Sequence, residues 1–115
     1  AQLESIDNFI YNKRELADRY RHFFDGRSVD FVEERSGSAS NYWLNAIILP
    51  SENERDKFLE TTNSAGVMTR PVWELMPQLP MYQHAQCYGL ENAEWIQKRL
   101  VNIPSSVRPK ELLGL

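Results

Sequence analysis

The chain has 115 residues, of which 42% are hydrophobic, 25% charged and 11% aromatic, a composition that suits one compact domain and is too short for two. Sixteen acidic residues against 13 Lys and Arg leave a net charge of -3 with the signs mixed along the chain, so no basic field exists for a phosphate backbone and nucleic acid is excluded as an expected partner. The longest purely apolar run, Ala46–Leu49, is far below the ~20 residues of a membrane-spanning helix, and no charged-then-apolar leader opens the chain, so no membrane association and a cytoplasmic location are expected.

Apolar residues at Leu3, Ile6, Ile10, Ala17, Tyr20 and Phe24, with Phe9, Leu16 and Phe23 beside them, predict a long amphipathic helix that Lys13 interrupts. It should stop near Asp25-Gly26, where glycine takes a left-handed conformation without steric cost. Ala1-Gln2-Leu3 supplies no capping side chain and no initiator methionine, which predicts a helix entered part-way and a chain excised from a longer polypeptide. Val29 and Phe31 alternate with polar neighbours between Ser28 and Glu33, as in a short strand with one wet face. Glu34 to Ser40 is small and polar and reads as a loop. The aromatic and β-branched run Tyr42 to Leu49, closed by Pro50, is the best strand of the sequence.

Ser51-Glu52-Asn53-Glu54 has the spacing of a capping box, so a helix is expected from Glu52, with Phe58, Leu59, Thr62 and Ala65 on one face and Gly66 as its stop. Val67 to Arg70 predicts a strand that Pro71 ends. Glu74 to Gly89 is a long loop, yet Leu75, Met76, Leu79, Met81 and Tyr82 make it too apolar for a free tail. A helix from Glu91 or Asn92 to Leu100 follows, then an extended segment Val101 to Pro104, then a final turn from Pro109 through Leu113. Together these elements predict an α+β fold, a small mixed or antiparallel sheet covered by the first helix and the helices at 52–65 and 92–100.

The reactive side chains are sparse. Cys87 is the single cysteine, expected as a small packing residue, and with His22 and His84 it forms no cluster at metal-ligand spacing. Both histidines read as surface residues, and no nucleophile, base and carboxylate fall together. Lys57, Lys98 and Lys110 sit among other charges, while Lys13 is expected to pack its stem and send its ammonium to water. No Gly-rich phosphate loop is present. The residues alone therefore describe a domain without a self-contained active site. Their most informative cluster is Gly66 to Trp73 followed by Leu79-Pro80-Met81-Tyr82. Arg70 beside Pro71, with Trp73 three residues on, offers a planar donor fork and an aromatic face at a sheet edge, as an anionic or sugar-bearing ligand would require. Plain covering of apolar surface by Trp73 and the loop fits the same residues equally well.

Several segments, in order, resemble the C-terminal small domain of the DegT/DnrJ/EryC1/StrS family of nucleotide-sugar aminotransferases, nearest its LegC-like and perosamine-synthetase-like members. Ala1-Gln2-Leu3-Glu4 with Ile6-Asp7 and Lys13-Arg14 is similar to the family's helix leaving the large domain. Asn41-Tyr42-Trp43-Leu44 resembles its aromatic strand opening, and Gly66-Val67-Met68-Thr69-Arg70-Pro71-Val72-Trp73 its G-[IV]-x-T-R-P-x-W segment. Ala93-Glu94-Trp95 and Asn102 to Ser106 resemble its closing helix and strand. The resemblance covers nearly the whole chain. It implies that residues 1–115 are one small domain of a homodimeric enzyme whose pyridoxal phosphate (PLP), cofactor lysine and phosphate cradle lie in a large domain absent here. It implies transfer of an amino group from glutamate to a nucleotide-linked keto-deoxysugar, with the cofactor as electron sink. An isolated piece should then bind no cofactor and be inactive. Asn41, Trp43, Arg70 and Trp73 carry over as substrate-side residues, whereas Pro77 stands where many members have histidine, so contacts through that histidine do not carry over. The alternative expectation is a stand-alone ligand-binding or interaction module without catalysis. A piece cut from its helix should also leave Leu3, Ile6 and Ile10 exposed and self-associate.

Overall fold

The computed structural model describes residues 2–108, so the expected turn from Pro109 through Leu113 lies outside the described residues. A 3-10 turn, Gln2–Ser5, runs into the first helix α1, Ile6–Phe24. The chain then forms β1 (Asp30–Phe31), β2 (Asn45–Ile48), α2 (Glu52–Ser64) and β3 (Arg70–Pro71). Two 3-10 turns, Met76–Gln78 and Pro80–Tyr82, interrupt the long loop before α3 (Glu91–Gln97) and β4 (Leu100–Ile103). The punctuation residues act as their chemistry dictates. Ser51 accepts a hydrogen bond on its side chain from the Glu54 amide at 3.2 Å and starts α2. Gly26 and Gly66, at φ +70° and +78°, take the left-handed conformation just past the first two helices.

The strands form an antiparallel sheet in the order β1-β2-β4-β3. Its register pairs Asn45 with Ile103 and Ile47 with Val101, and Phe31 with Ile47 on the other side. Side chains alternate across a sheet, so Ile47, Val101, Ile103 and Leu49 share one face and form the buried core. Tyr20 and Phe24 of α1, Phe58 and Leu59 of α2, and Val29 and Phe31 around β1 pack onto them. Burial of a side chain such as Ile47, fully enclosed, is worth about 1.5–3 kcal/mol. The architecture is the expected α+β arrangement, with its sheet antiparallel throughout.

Four expectations are corrected. The strand expected over Val67 to Arg70 is Arg70–Pro71, so Pro71 belongs to it, paired with Val101, as an edge strand that needs no outward amide allows. The second strand begins at Asn45 and not Tyr42, because Tyr42 has φ +46°, a left-handed value that bends the chain out of extended geometry. The third helix ends at Gln97, has no buried residue and contributes none of the side chains packed on the core; Trp95 and Ile96 remain 48% and 39% exposed. Cys87 is exposed and not packed, since its stretch of the long loop, 81–89, lies entirely on the surface.

Candidate functional site

Asn41 and Trp43 belong to a tight turn that delivers the chain into β2. The Asn41 side-chain oxygen accepts from the Trp43 amide at 3.0 Å, an Asx turn in which a short polar side chain mimics a backbone carbonyl. Between them, the Tyr42 amide donates to Ser40 Oγ at 3.0 Å and the Tyr42 hydroxyl accepts from the Glu34 amide at 3.1 Å. The Tyr42 ring stacks on Phe31 at 6.2 Å between centroids, and the Arg14 guanidinium lies 5.7 Å from its centre. Trp43 is left 65% exposed although its peptide groups are held on both sides.

A charged clamp supports this turn. Arg14 grips Glu34 with two parallel bonds, Nη1 to Oε2 at 3.0 Å and Nη2 to Oε1 at 2.8 Å, and donates again to the Ser40 carbonyl at 2.6 Å. The Ser40 amide donates to Glu34 Oε2 at 2.6 Å. The Arg14 hydrogen bonds, with that from Ser40, hold the Glu34 carboxyl at about 2, well below its usual range. Lys13 closes the turn from the other side, donating to the carbonyls of Ser105 at 2.6 Å and Trp43 at 3.3 Å. Its ammonium is therefore satisfied by backbone oxygens, which corrects the expectation that it reaches for water. The hydroxyl of half-buried Tyr20 donates to the Pro104 carbonyl at 2.9 Å, and burial pushes its phenol upward.

Arg70 and Trp73 stand at the opposite edge of the sheet. Thr69, 2% exposed, is locked against α2: its hydroxyl lies 2.6 Å from that of Thr62 and accepts from Asn63 Nδ2 at 2.9 Å. Alternation then turns Arg70 to the face away from the core, opposite Asn102 on β4. Its exposed guanidinium makes no ion pair or side-chain hydrogen bond among the described residues. Trp73 is 82% exposed. Pro77, at the start of a 3-10 turn, is half-buried, and a reciprocal amide pair between Gln78 and Gln97, at 2.7 and 3.2 Å, ties that turn to α3.

The structure joins Asn41 to Trp43 within one turn and places Arg70 on the edge strand, but it does not gather the four residues into one pocket. Both β2 and β3 are antiparallel to β4 and so run the same way; Trp43 precedes β2 and Trp73 follows β3, at opposite ends of the sheet. Open clefts of about 440 and 390 Å³ are lined by other residues, the first by Arg14, Glu34 and Tyr42, the second by Leu49, Phe58 and Lys57. Of the residues that shape the turn, Lys13, Arg14 and Ser105 lie in segments that resemble the family's, while Glu34 carries no motif. Lys13 also breaks the apolar stripe of the first helix, but no spacing joins these four residues.

PLP requires an amine set beside an anion cradle, and the described residues do not bring the two together. The Lys13 amine is engaged by two carbonyls, and Lys57 and Lys98 are exposed among other charges. The first turns of α1, α2 and α3 all carry acids, Asp7, Glu52 with Glu54, and Glu91 with Glu94, which oppose a phosphate at the helix ends. Among the described residues there is also no group of three or more potential metal ligands, and no helix is long and apolar enough to cross a membrane.

Comparison with known proteins places these features in context. Residues 1–111 match the DegT/DnrJ/EryC1/StrS aminotransferase family. A GDP-perosamine synthase of Vibrio cholerae is 34% identical over 110 residues, covering 91% of this chain and 29% of the relative. A GDP-perosamine synthase of Escherichia coli O157:H7 is 32% identical over 106 residues, covering 91% and 28%. The chain thus spans less than a third of the length of these relatives. Among solved structures, the aminotransferase TlmJ from Streptoalloteichus hindustanus superposes with a TM-score of 0.83 at 19% identity, covering 98% of this chain and 31% of that one. Helicobacter pylori PseC, an aminotransferase involved in the biosynthesis of pseudoaminic acid, gives 0.83 at 16% identity, covering 98% and 32%. These two likenesses establish a shared fold.

Proposed function

The chain belongs to the DegT/DnrJ/EryC1/StrS aminotransferase family, and from that premise we propose that residues 1–115 form the C-terminal small domain of an enzyme that moves an amino group from glutamate to a nucleotide-linked keto-deoxysugar. The observation that carries this reading is the family match over residues 1–111, supported by 34% identity to a GDP-perosamine synthase over nearly the same span. PLP, which the family match implies, belongs to the full protein and is held in a domain outside this chain. The full protein is a homodimer of the cytoplasm, and the 115-residue chain alone is inactive.

In this reading the chain supplies part of the wall against which the sugar nucleotide lies. Arg70, without an acceptor among the described residues, offers a planar set of N–H donors to the diphosphate. Trp43 and Trp73 offer exposed aromatic faces to the base or the sugar ring. Asn41 acts through the turn that holds Trp43.

The test is reconstitution of the full-length protein with PLP and glutamate. A cofactor absorbance band and conversion of a nucleotide-linked keto sugar to its amino sugar are expected, with neither from residues 1–115 alone. A full-length protein that acquires no such band, or a 115-residue chain that turns over by itself, would overturn the proposal.

A further inference from the structure

We propose that Lys13 is a positioning residue that fixes the backbone from which the exposed Trp43 indole projects; this rests on the reading of Trp43 as a substrate-side residue. Tied peptide groups fix a residue's backbone and with it the direction of the Cα–Cβ bond, from which χ1 and χ2 carry the ring between staggered positions. Both peptide groups of Trp43 are tied. Its amide donates to Asn41 Oδ1 at 3.0 Å, and its carbonyl accepts from the Lys13 ammonium at 3.3 Å. The second carbonyl on the ammonium, that of Ser105 at 2.6 Å, belongs to a rigid part of the fold. Ser105 is buried; its Oγ accepts from the Asn45 amide at 2.7 Å and donates to the Ile103 carbonyl at 2.7 Å. Lys13 therefore references the turn to the ends of β2 and β4 and to α1 at once.

The indole gains little burial from all this, being 65% exposed. A large aromatic whose backbone is held on both sides while its ring faces outward has only its two side-chain torsions left to settle, so it loses less freedom on binding a ligand. The ammonium suits the task because its three donors can serve two carbonyls together, which a neutral hydrocarbon of the same length cannot.

The experiment is a double-mutant cycle in the full-length, cofactor-loaded protein, with GDP-perosamine, the amino sugar nucleotide in the names of two relatives, as calorimetric probe. Trp43→Ala should weaken binding about tenfold, the scale of a lost aromatic contact. Lys13→Met should weaken it severalfold alone, but by less than about twofold in the Trp43→Ala background, as expected for residues acting through one another. Lys13→Arg, whose guanidinium also donates to two carbonyls, should restore most of the affinity. If Lys13→Met does not fold, Lys13→Gln takes its place under the same criteria. Equal losses in both backgrounds, or no loss from Lys13 variants while Trp43→Ala is impaired, would overturn the inference. A second readout needs no ligand. With every tryptophan of the full-length protein other than Trp43 replaced by phenylalanine, Trp73 and Trp95 included, the fluorescence anisotropy of Trp43 should fall in Lys13→Met, and unchanged anisotropy would overturn the inference by itself. A fall in anisotropy with no GDP-perosamine binding by the unmodified protein would instead overturn the reading of Trp43 as a contact for this sugar nucleotide and leave the positioning role standing.

Discussion

Glu34 accepts two bonds from the Arg14 guanidinium and one from the Ser40 amide, and these hold its carboxyl at about 2 against an ordinary 4.5. The folded value lies below the unfolded one, so the stability this carboxylate contributes is fully present above about pH 4.5 and is lost as pH falls through 2. Carboxyl NMR should find Glu34 titrating near 2; a titration in the ordinary carboxylate range would contradict the clamp. Glu34→Gln should be less stable than the parent at pH 7, with the gap closing as the acid limb is descended. None of this could be read from the sequence, where residues 34–40 are only a small, polar loop and Arg14 is one charge on a helix. Asn41, Trp43, Arg70 and Trp73 stood out as motif residues, and Arg70 does lie on the edge strand. The turn made by Asn41 is local, an Asx turn two residues wide, whereas the two carbonyls held by Lys13 lie 30 and 92 residues away, a distance that no local pattern encodes.

Elements whose signals are local were the most legible. The capping serine at 51, the glycine stops at 26 and 66, and the helix between Ser51 and Gly66 appear where the spacing puts them. Elements whose limits depend on tertiary context were misjudged. The aromatic run at 42–44 has strand composition, yet its backbone is recruited into a turn by Glu34, Ser40 and Lys13. The long loop spends Pro77 and Pro80 on opening 3-10 turns, a use of proline that suits the first positions of a helix. Two substitutions measure these contributions by urea unfolding. Ser51→Ala should cost about 1 kcal/mol, the usual penalty for a lost N-cap. Ile47→Ala, in the centre of the core, should cost about 2–5 kcal/mol. A smaller loss at Ile47 than at Ser51 would mean that the sheet face described here is not the core.

The whole molecule is more extended than its length warrants. Its radius of gyration is 16.6 Å and its extents are 51 × 32 × 29 Å, whereas a compact domain of this size has a radius near ~13 Å. The core is correspondingly small, and the 3-10 turn and the start of α1 project an apolar end: Leu3, Ile6 and Ile10 are 80%, 45% and 37% exposed. The isolated 115-residue chain should therefore show concentration-dependent association in sedimentation velocity, reduced by Ile6→Glu with Ile10→Glu. A single monomeric boundary at high concentration would contradict it. The sheet itself constrains how such copies can meet. Both of its outer strands are two residues long, one carrying Asp30 and the other the consecutive pair Arg70-Pro71. A proline has no amide proton to offer an incoming chain, and a charge on so short a margin repels one. Both borders disfavour an added strand, so copies that associate are expected to do so through side chains and to leave the ladder of main-chain bonds closed within each molecule.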